Sequence, residues 1–157
     1  MRVGQGFDVH RFTEGNRIIL GGVSIPHDRG IDAHSDGDVL LHAICDALLG
    51  AAGLDDIGRH FPDQDELNKN RSSREFVQEI VGIIQSSELN IANLDATVIL
   101  QRPKIRDYIQ EMRQNIAQDL CIESSQVNVK ATTTEGLGFI GREEGIAAMA
   151  VVLLKQD

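Results

Sequence analysis

Residues 146–154 read IAAMAVVLL, an apolar run without a single polar side chain. Strand side chains alternate between faces, and here neither parity is polar, so the run predicts a strand buried on both sides. Such a strand belongs inside a sheet, with helices on one face and further apolar cover on the other. The rest of the chain supplies the sheet. Residues 2–12 alternate loosely as an opening strand, and RIILGGVSIP (17–26) predicts a hairpin about Gly21–Gly22 that pairs with it. Residues 27–37 are polar and glycine-containing, hence a loop. Asp38 caps a helix over DVLLHAICDALLGAAGL, and a second helix spans 73–87 with Phe76, Ile80, Ile83 and Ile84 toward the core. Between them, residues 55–73 show neither helix nor strand periodicity, a length of loop that usually serves function. NLDATVILQ (93–101) alternates as a strand. The next segment, from Pro103, predicts a helix with the proline in its first turn, and QVNVKATTT predicts another strand. The order β, β-hairpin, α, α, β, α, β, β predicts an α+β fold: one mixed sheet covered by helices on one face, a ferredoxin-like sandwich formed by a single domain over 1–157. The doubly apolar last strand points to contacts between subunits.

Charge narrows the ligand class. A net charge of −9, with 4% aromatic residues, no Trp and one Tyr, offers neither the basic footprint nor the stacking surface of a nucleic-acid binder. A phosphorylated small molecule remains open to such a chain if metal ions supply local positive charge. Cys45 and Cys121 lack metal-type spacing and read as reduced core thiols. No apolar leader or membrane-length run is present, so the expectation is a soluble cytoplasmic protein.

Three groups of residues carry chemistry. Asp8 and His10 share one face of the opening strand and converge in space. His42 stands on a polar helical stripe with Asp38 and Asp46, each four residues from the next. His42 is either a core histidine satisfied by Asp46 or a metal ligand whose second ring nitrogen is held by a carboxylate. In the second case Asp8, His10 and His42 form a His₂–carboxylate set with an open fourth position, the pattern of catalytic zinc. His34 and Ser35 precede a helix N-terminus that favours phosphate. Thr132, Thr133 and Thr134 at a strand end, followed by Glu135, offer hydroxyls for phosphate and a hard oxygen ligand for Mg²⁺, although a threonine run also follows from β-propensity alone. The acids of DDIG and FPDQD are either contacts to a polyol or solvated loop residues.

The motifs DVHRF, AHSDGDVLLHAICDALLGAAGLDDIGRHFPDQD and KATTTEGLGFIGREEGIAA, in this order, resemble the 2-C-methyl-D-erythritol 2,4-cyclodiphosphate synthase family of the non-mevalonate isoprenoid pathway. The resemblance spans almost the whole chain. It implies a homotrimer with active sites between subunits, one Zn²⁺ per subunit on Asp8, His10 and His42, and Mg²⁺ or Mn²⁺ at Glu135 between the phosphates of the nucleotide. It makes His34 and Thr133 transition-state stabilisers, with Glu135 counted among the catalytic residues. Substrate contacts are implied for Asp8, Val9, His10, His34 and Ser35. Loops around the methylerythritol phosphate would comprise Asp56, Ile57 and Gly58, then Phe61, Pro62, Asp63, Gln64 and Asp65. Leu100, Gln101, Arg102, Pro103, Lys104, Ile105 and Arg106 correspond to the cytosine pocket, and Thr132 to Glu135 to the cytidine diphosphate site. Phe139 and Arg142 resemble residues around a central trimer cavity that accepts isoprenoid diphosphates. Two departures stand out: Gly136 replaces a lysine frequent in the family, and the side chains of QRPK differ.

The implied reaction converts 4-diphosphocytidyl-2-C-methyl-D-erythritol 2-phosphate to the 2,4-cyclodiphosphate and CMP. Two other readings compete: a metal-dependent phosphohydrolase using the same ligands, and a trimer that binds an isoprenoid or phosphate ligand without catalysis.

Overall fold

The computed structural model describes residues 1–62 and 64–156. Strand β1 (Arg2–Thr13) and the final strand β7 (Gly145–Gln156) run antiparallel from Arg2↔Leu154 to Arg11↔Gly145. On the other side of β7 lies β5 (Leu89–Ile99), antiparallel, followed by β6 (Val127–Thr132), parallel to β5. A short strand β4 (Gly30–Ile31) extends the sheet beyond β1, giving the order β4-β1-β7-β5-β6. The doubly apolar run is therefore the central strand.

Strand parity sorts the two faces. Ile146, Ala148, Ala150, Val152 and Leu154 of β7 are buried against helix α1 (Val39–Ala52). The opposite face leaves Val3, Phe7, Val9, Met149 and Val151 exposed, an apolar surface on a protein whose helices lie elsewhere. Helices α3 (Ser73–Ser86) and α4 (Ile109–Leu120) complete the helical layer, with α3 packed on α1 and α4 on β6. The fold is α+β, with a mixed sheet and helices, as expected.

Close approach of β1 to α1 depends on two glycines. A Cβ on Gly4 would stand 2.0 Å from the Ala47 carbonyl oxygen, and one on Gly6 would stand 1.9 Å from that of Ala43. Helix and strand thus meet backbone to backbone, which no residue with a side chain permits. Asp8 and His10, next along the same inward face, are carried directly onto the helix.

The structure departs from the sequence expectations in several places. The hairpin β2 (Arg17–Leu20)–β3 (Val23–Pro26) forms a separate two-stranded sheet, and β1 pairs with β4 instead. The hairpin buries Ile18, Leu20 and Ile25 in the core, so its apolar parity is satisfied by packing instead of pairing. Residues 55–73 contain a short helix α2 (Ile57–His60) and a 3₁₀ turn, Glu66–Asn68. Ile83 lies at the surface while Val77 and Val81 take core positions with Phe76, Ile80 and Ile84, so the buried stripe of α3 is rotated from the expected one. Pro103 sits in a loop, ahead of a 3₁₀ turn at Arg106–Tyr108, because Ile105 is drawn into the core and holds the chain off a helical path. Cys45 is buried, but Cys121 caps α4 in the left-handed conformation (φ 55°) and is exposed, so it is not a core thiol. The last helical turn, α5 (Gly138–Gly141), precedes β7.

Candidate active site

The site is built where β1, α1 and α3 meet. Inward parity on β1 presents Asp8 and His10, and the third side chain comes from the middle of α1. Asp8 Oδ2 lies 3.0 Å from His10 Nδ1 and 3.2 Å from His42 Nδ1. The ligand atoms of all three lie within 4.8 Å of one another, a group able to hold a metal ion. Two observations test the fit. Four ligands at about 2.0–2.1 Å around a tetrahedral ion stand about 3.3 Å apart, close to the spacings seen. His10 Nδ1 is buried with no hydrogen-bond partner among the described residues, despite its nearness to Asp8, so a ring nitrogen is aimed at the cluster without being satisfied. Burial pushes the Asp8 carboxyl upward, but the contacts with His10 and His42 outweigh it and hold it far below the usual carboxylate range. It is ionised, as a ligand must be. Burial likewise opposes protonation of His42, and its contact with Asp8 overcomes this, raising its pKa. The donor set fits a divalent ion.

The polar stripe on α1 departs from the sequence expectations in one respect: His42 joins a cluster able to hold a metal, but the carboxylates of the stripe are engaged elsewhere. Asp38 is the N-cap: its carboxylate accepts from the backbone N–H of Leu41 (3.0 Å) and of Gly22 (2.8 Å). Complete burial pushes its pKa up to about 6 against those hydrogen bonds. Asp46 accepts from the N–H of Ile57 at 2.8 Å and so docks α2 beside the cluster; burial raises its pKa. Neither carboxylate holds His42. Its Nε2 instead meets two hydroxyls, Ser73 at 2.9 Å and Ser35 at 3.1 Å. Ser73 and Asp36 are not among the residues singled out from the sequence, since nothing local links the start of α3 to a histidine on α1.

A cleft of 340 Å³ opens over the cluster, lined by Asp8, Val9, His10, His34, Ser35 and His42 together with Ile57, Gly58 and Phe61. Phe76, Asn68 and Asp32 also line it and are not foreseen by the motifs. The loop bearing His34 and Ser35 is pinned by backbone hydrogen bonds, Asn70 N–H to His34 O (2.8 Å) and Asp36 N–H to Arg71 O (3.1 Å). Phe61 stacks on Phe76 at 4.6 Å, and the Arg71 guanidinium lies over Phe76.

A second hollow of 320 Å³ is lined by Leu100, Gln101, Pro103, Lys104, Ile105, Arg106, Thr132 and Thr133. Gln101 Oε1 accepts from the N–H of Thr134 at 2.9 Å and clips the two segments together. The two clefts have no lining residue in common. Other expected residues lie outside both. Arg102 turns away to a bidentate pair with Glu143 and a longer contact with Asp28. Asp56 caps α2 and Asp65 caps the following 3₁₀ turn; Pro62 O accepts from Asn68, and Gln64 is exposed. Glu135 is exposed with φ 54°, accepting from the Thr133 hydroxyl at 3.2 Å, and it is not part of the Asp8–His10–His42 cluster. Phe139 lines a third hollow with Val9, Arg11, Arg29 and Glu144, while Arg142 is not in its lining and pairs with Glu144 at its edge. Asp63 lies outside the described residues.

A mixed sheet with helices above it, and a three-residue cluster able to hold an ion and open to a cleft, define an α+β protein with a metal-type site. The sequence model of the YgbB family matches residues 1–155, and the chain belongs to that family. It is 60% identical over 156 residues to the 2-C-methyl-D-erythritol 2,4-cyclodiphosphate synthase of Syntrophomonas wolfei, covering 99% of each chain. Among solved structures it resembles the bifunctional IspDF of Campylobacter jejuni (TM-score 0.95, 47% identity), covering 99% of this chain and 42% of that longer one. It also resembles a CDP complex of IspF from Plasmodium falciparum (TM-score 0.87, 37% identity), covering 99% of this chain and 96% of that one. The resemblance carried by the motifs is thereby confirmed.

Proposed function

We propose that this chain converts 4-diphosphocytidyl-2-C-methyl-D-erythritol 2-phosphate to 2-C-methyl-D-erythritol 2,4-cyclodiphosphate and CMP, in isoprenoid precursor synthesis. The observation that carries the reading is the ionised Asp8 set against two histidine nitrogens at the floor of the first cleft, in a chain so similar to a named synthase. The substrate brings its own nucleophile. A 2-phosphate oxygen forms a bond to the β-phosphorus as the bond from that phosphorus to the oxygen bridging to the α-phosphate breaks, and CMP carries the electron pair away. The 2-phosphate is largely dianionic at neutral pH, so no general base is required; positioning and neutralisation of charge are. Asp8, His10 and His42 would hold Zn²⁺, and Glu135 would hold Mg²⁺ or Mn²⁺; both ions would supply Lewis-acid stabilisation of the phosphate charge. His34, Ser35 and Thr133 orient the phosphates. The α2 segment from Asp56 to Gly58, with Phe61 and the loop that follows, encloses the methylerythritol. The second hollow takes the cytidine.

We read residues 1–157 as one ferredoxin-like domain, cytoplasmic, assembled as a homotrimer. Separate lining of the two clefts favours a site completed by a neighbouring subunit, and the bare apolar sheet face suits such an assembly. The hollow beside Phe139 and Arg29 would then face the centre, where an isoprenoid diphosphate is the ligand to test. No helix among the described residues is long and apolar enough to cross a membrane. The deciding experiment incubates the protein with the nucleotide substrate and Mg²⁺ and reads products by mass spectrometry. CMP with the cyclic diphosphate supports the proposal; a product heavier by one water identifies a phosphohydrolase.

A further inference from the structure

His42 must offer a lone pair at Nδ1 to serve as a ligand there, because Nδ1 is the nitrogen facing Asp8. A neutral imidazole has one protonated nitrogen, and the partner of the other nitrogen decides which. Nε2 faces Ser73 Oγ at 2.9 Å. Ser73 is fully buried, and its hydroxyl donates to Asp36 Oδ1 in a short contact of 2.5 Å. Asp36 is in turn fixed by the N–H groups of Ser73 (3.0 Å) and Asp38 (3.2 Å). A hydroxyl has a single proton. With that proton committed to Asp36, Ser73 Oγ has only lone pairs to present to His42, and Nε2 must be the nitrogen that carries hydrogen.

From this geometry we infer that Ser73, held by Asp36, is a positioning residue that locks His42 in the Nε2–H tautomer with the Nδ1 lone pair directed at the ion. The inference rests on the metal reading proposed above. Ser35 plays a different part. Its Oγ is 3.1 Å from the same nitrogen and accepts from the Gly37 N–H at 3.3 Å, but among the described residues no other acceptor fixes its own proton. It accommodates either tautomer and selects neither. The chain from Asp36 through Ser73 to His42 therefore does for this ligand what a directly bonded carboxylate does in other metal sites.

The test compares wild type, Ser73→Ala and Asp36→Asn after removal of metal with a chelator. Zinc affinity is measured by competition with a chromogenic chelator, and urea midpoints separate loss of fold from loss of ligand alignment. Loss of an outer partner of a metal ligand lowers affinity by about 10–100-fold, and this is expected for Ser73→Ala. An Ala variant that folds and binds zinc as wild type does overturns the inference and leaves the metal reading standing. Wild-type protein that takes up no zinc ends both. If neither variant folds, long-range ¹H–¹⁵N spectra of the zinc-loaded wild type still decide: protonated Nε2 and ligated Nδ1 at His42 support the lock, and the reverse assignment overturns it.

Discussion

Substituting Gly6 by alanine places a methyl where the structure has a backbone. The added Cβ would lie 1.9 Å from the Ala43 carbonyl oxygen, 2.8 Å from Ala47 N and 2.9 Å from the Ala43 carbonyl carbon. Relieving the shortest contact to an ordinary separation moves β1 from α1 by more than about 1 Å, and neither side can yield alone. The strand is held by its ladder to β7, and the helix is buried along its length. Overpacking of this kind costs about 1–3 kcal/mol, and the clash with backbone places Gly6→Ala near the upper end. The same displacement acts on function, because Asp8 is two residues further along and meets His42 across the interface that opens. A ligand pair now 3.2 Å apart would separate beyond the reach of one ion, with a fall in zinc affinity of at least about tenfold. Gly50→Ala, on the same helix, is the control: its Cβ meets nothing nearer than Gln5 O at 3.9 Å. Urea denaturation and chelator competition measure both effects. A Gly6→Ala protein with the wild-type midpoint and wild-type zinc affinity would refute the claim that backbone contact sets the spacing of the site.

Three further outcomes are expected. Gly82 lies within α3, and a methyl added there would meet only open space, so Gly82→Ala should stabilise the fold by about 0.5–1 kcal/mol in urea titration. The folded state holds a proton on Asp38 up to about pH 6, against an ordinary 3.8, so this carboxyl favours folding at low pH and its contribution is lost as pH rises from about 4 to 6. The difference in stability between wild type and Asp38→Asn should therefore fall by about 3 kcal/mol over that window; parallel curves would show that the helix N-terminus keeps the carboxylate ionised. Glu135→Gln should leave zinc content unchanged while lowering turnover by about 10²–10³-fold, and wild-type kcat with the same Mg²⁺ dependence would assign the second ion elsewhere.

Local periodicity points to the three members of the cluster, although it leaves the role of His42 open. Period two puts Asp8 and His10 on one face, and an i, i+4 stripe singles out His42. That same stripe misleads about the partners of His42, because burial and hydrogen bonding from other segments redirect Asp38 to Gly22 and Asp46 to Ile57. The Ser73 contact spans a separation of 31 residues, so no spacing rule exposes it. A further signal is present in the chain: glycine at alternate positions of a strand, Gly4 and Gly6, marks close approach of another backbone. The hairpin β2–β3 shows the complementary limit. Its alternation correctly predicts strands, but apolar parity is satisfied equally by an edge or by a helical layer, and tertiary packing makes the choice.

Asp36 closes the open end of α3 and also terminates the hydrogen-bond chain that reaches His42. Free energy exchanged at one end of such a chain is felt equally at the other, because coupling is reciprocal. The first turn of α3 carries Phe76, which stacks on Phe61 across the cleft. Under the proposed chemistry, the ion and the aromatic wall share one anchor. Whatever tightens the ion also steadies the wall, whatever steadies the wall tightens the ion in equal measure, and a frayed α3 loosens both.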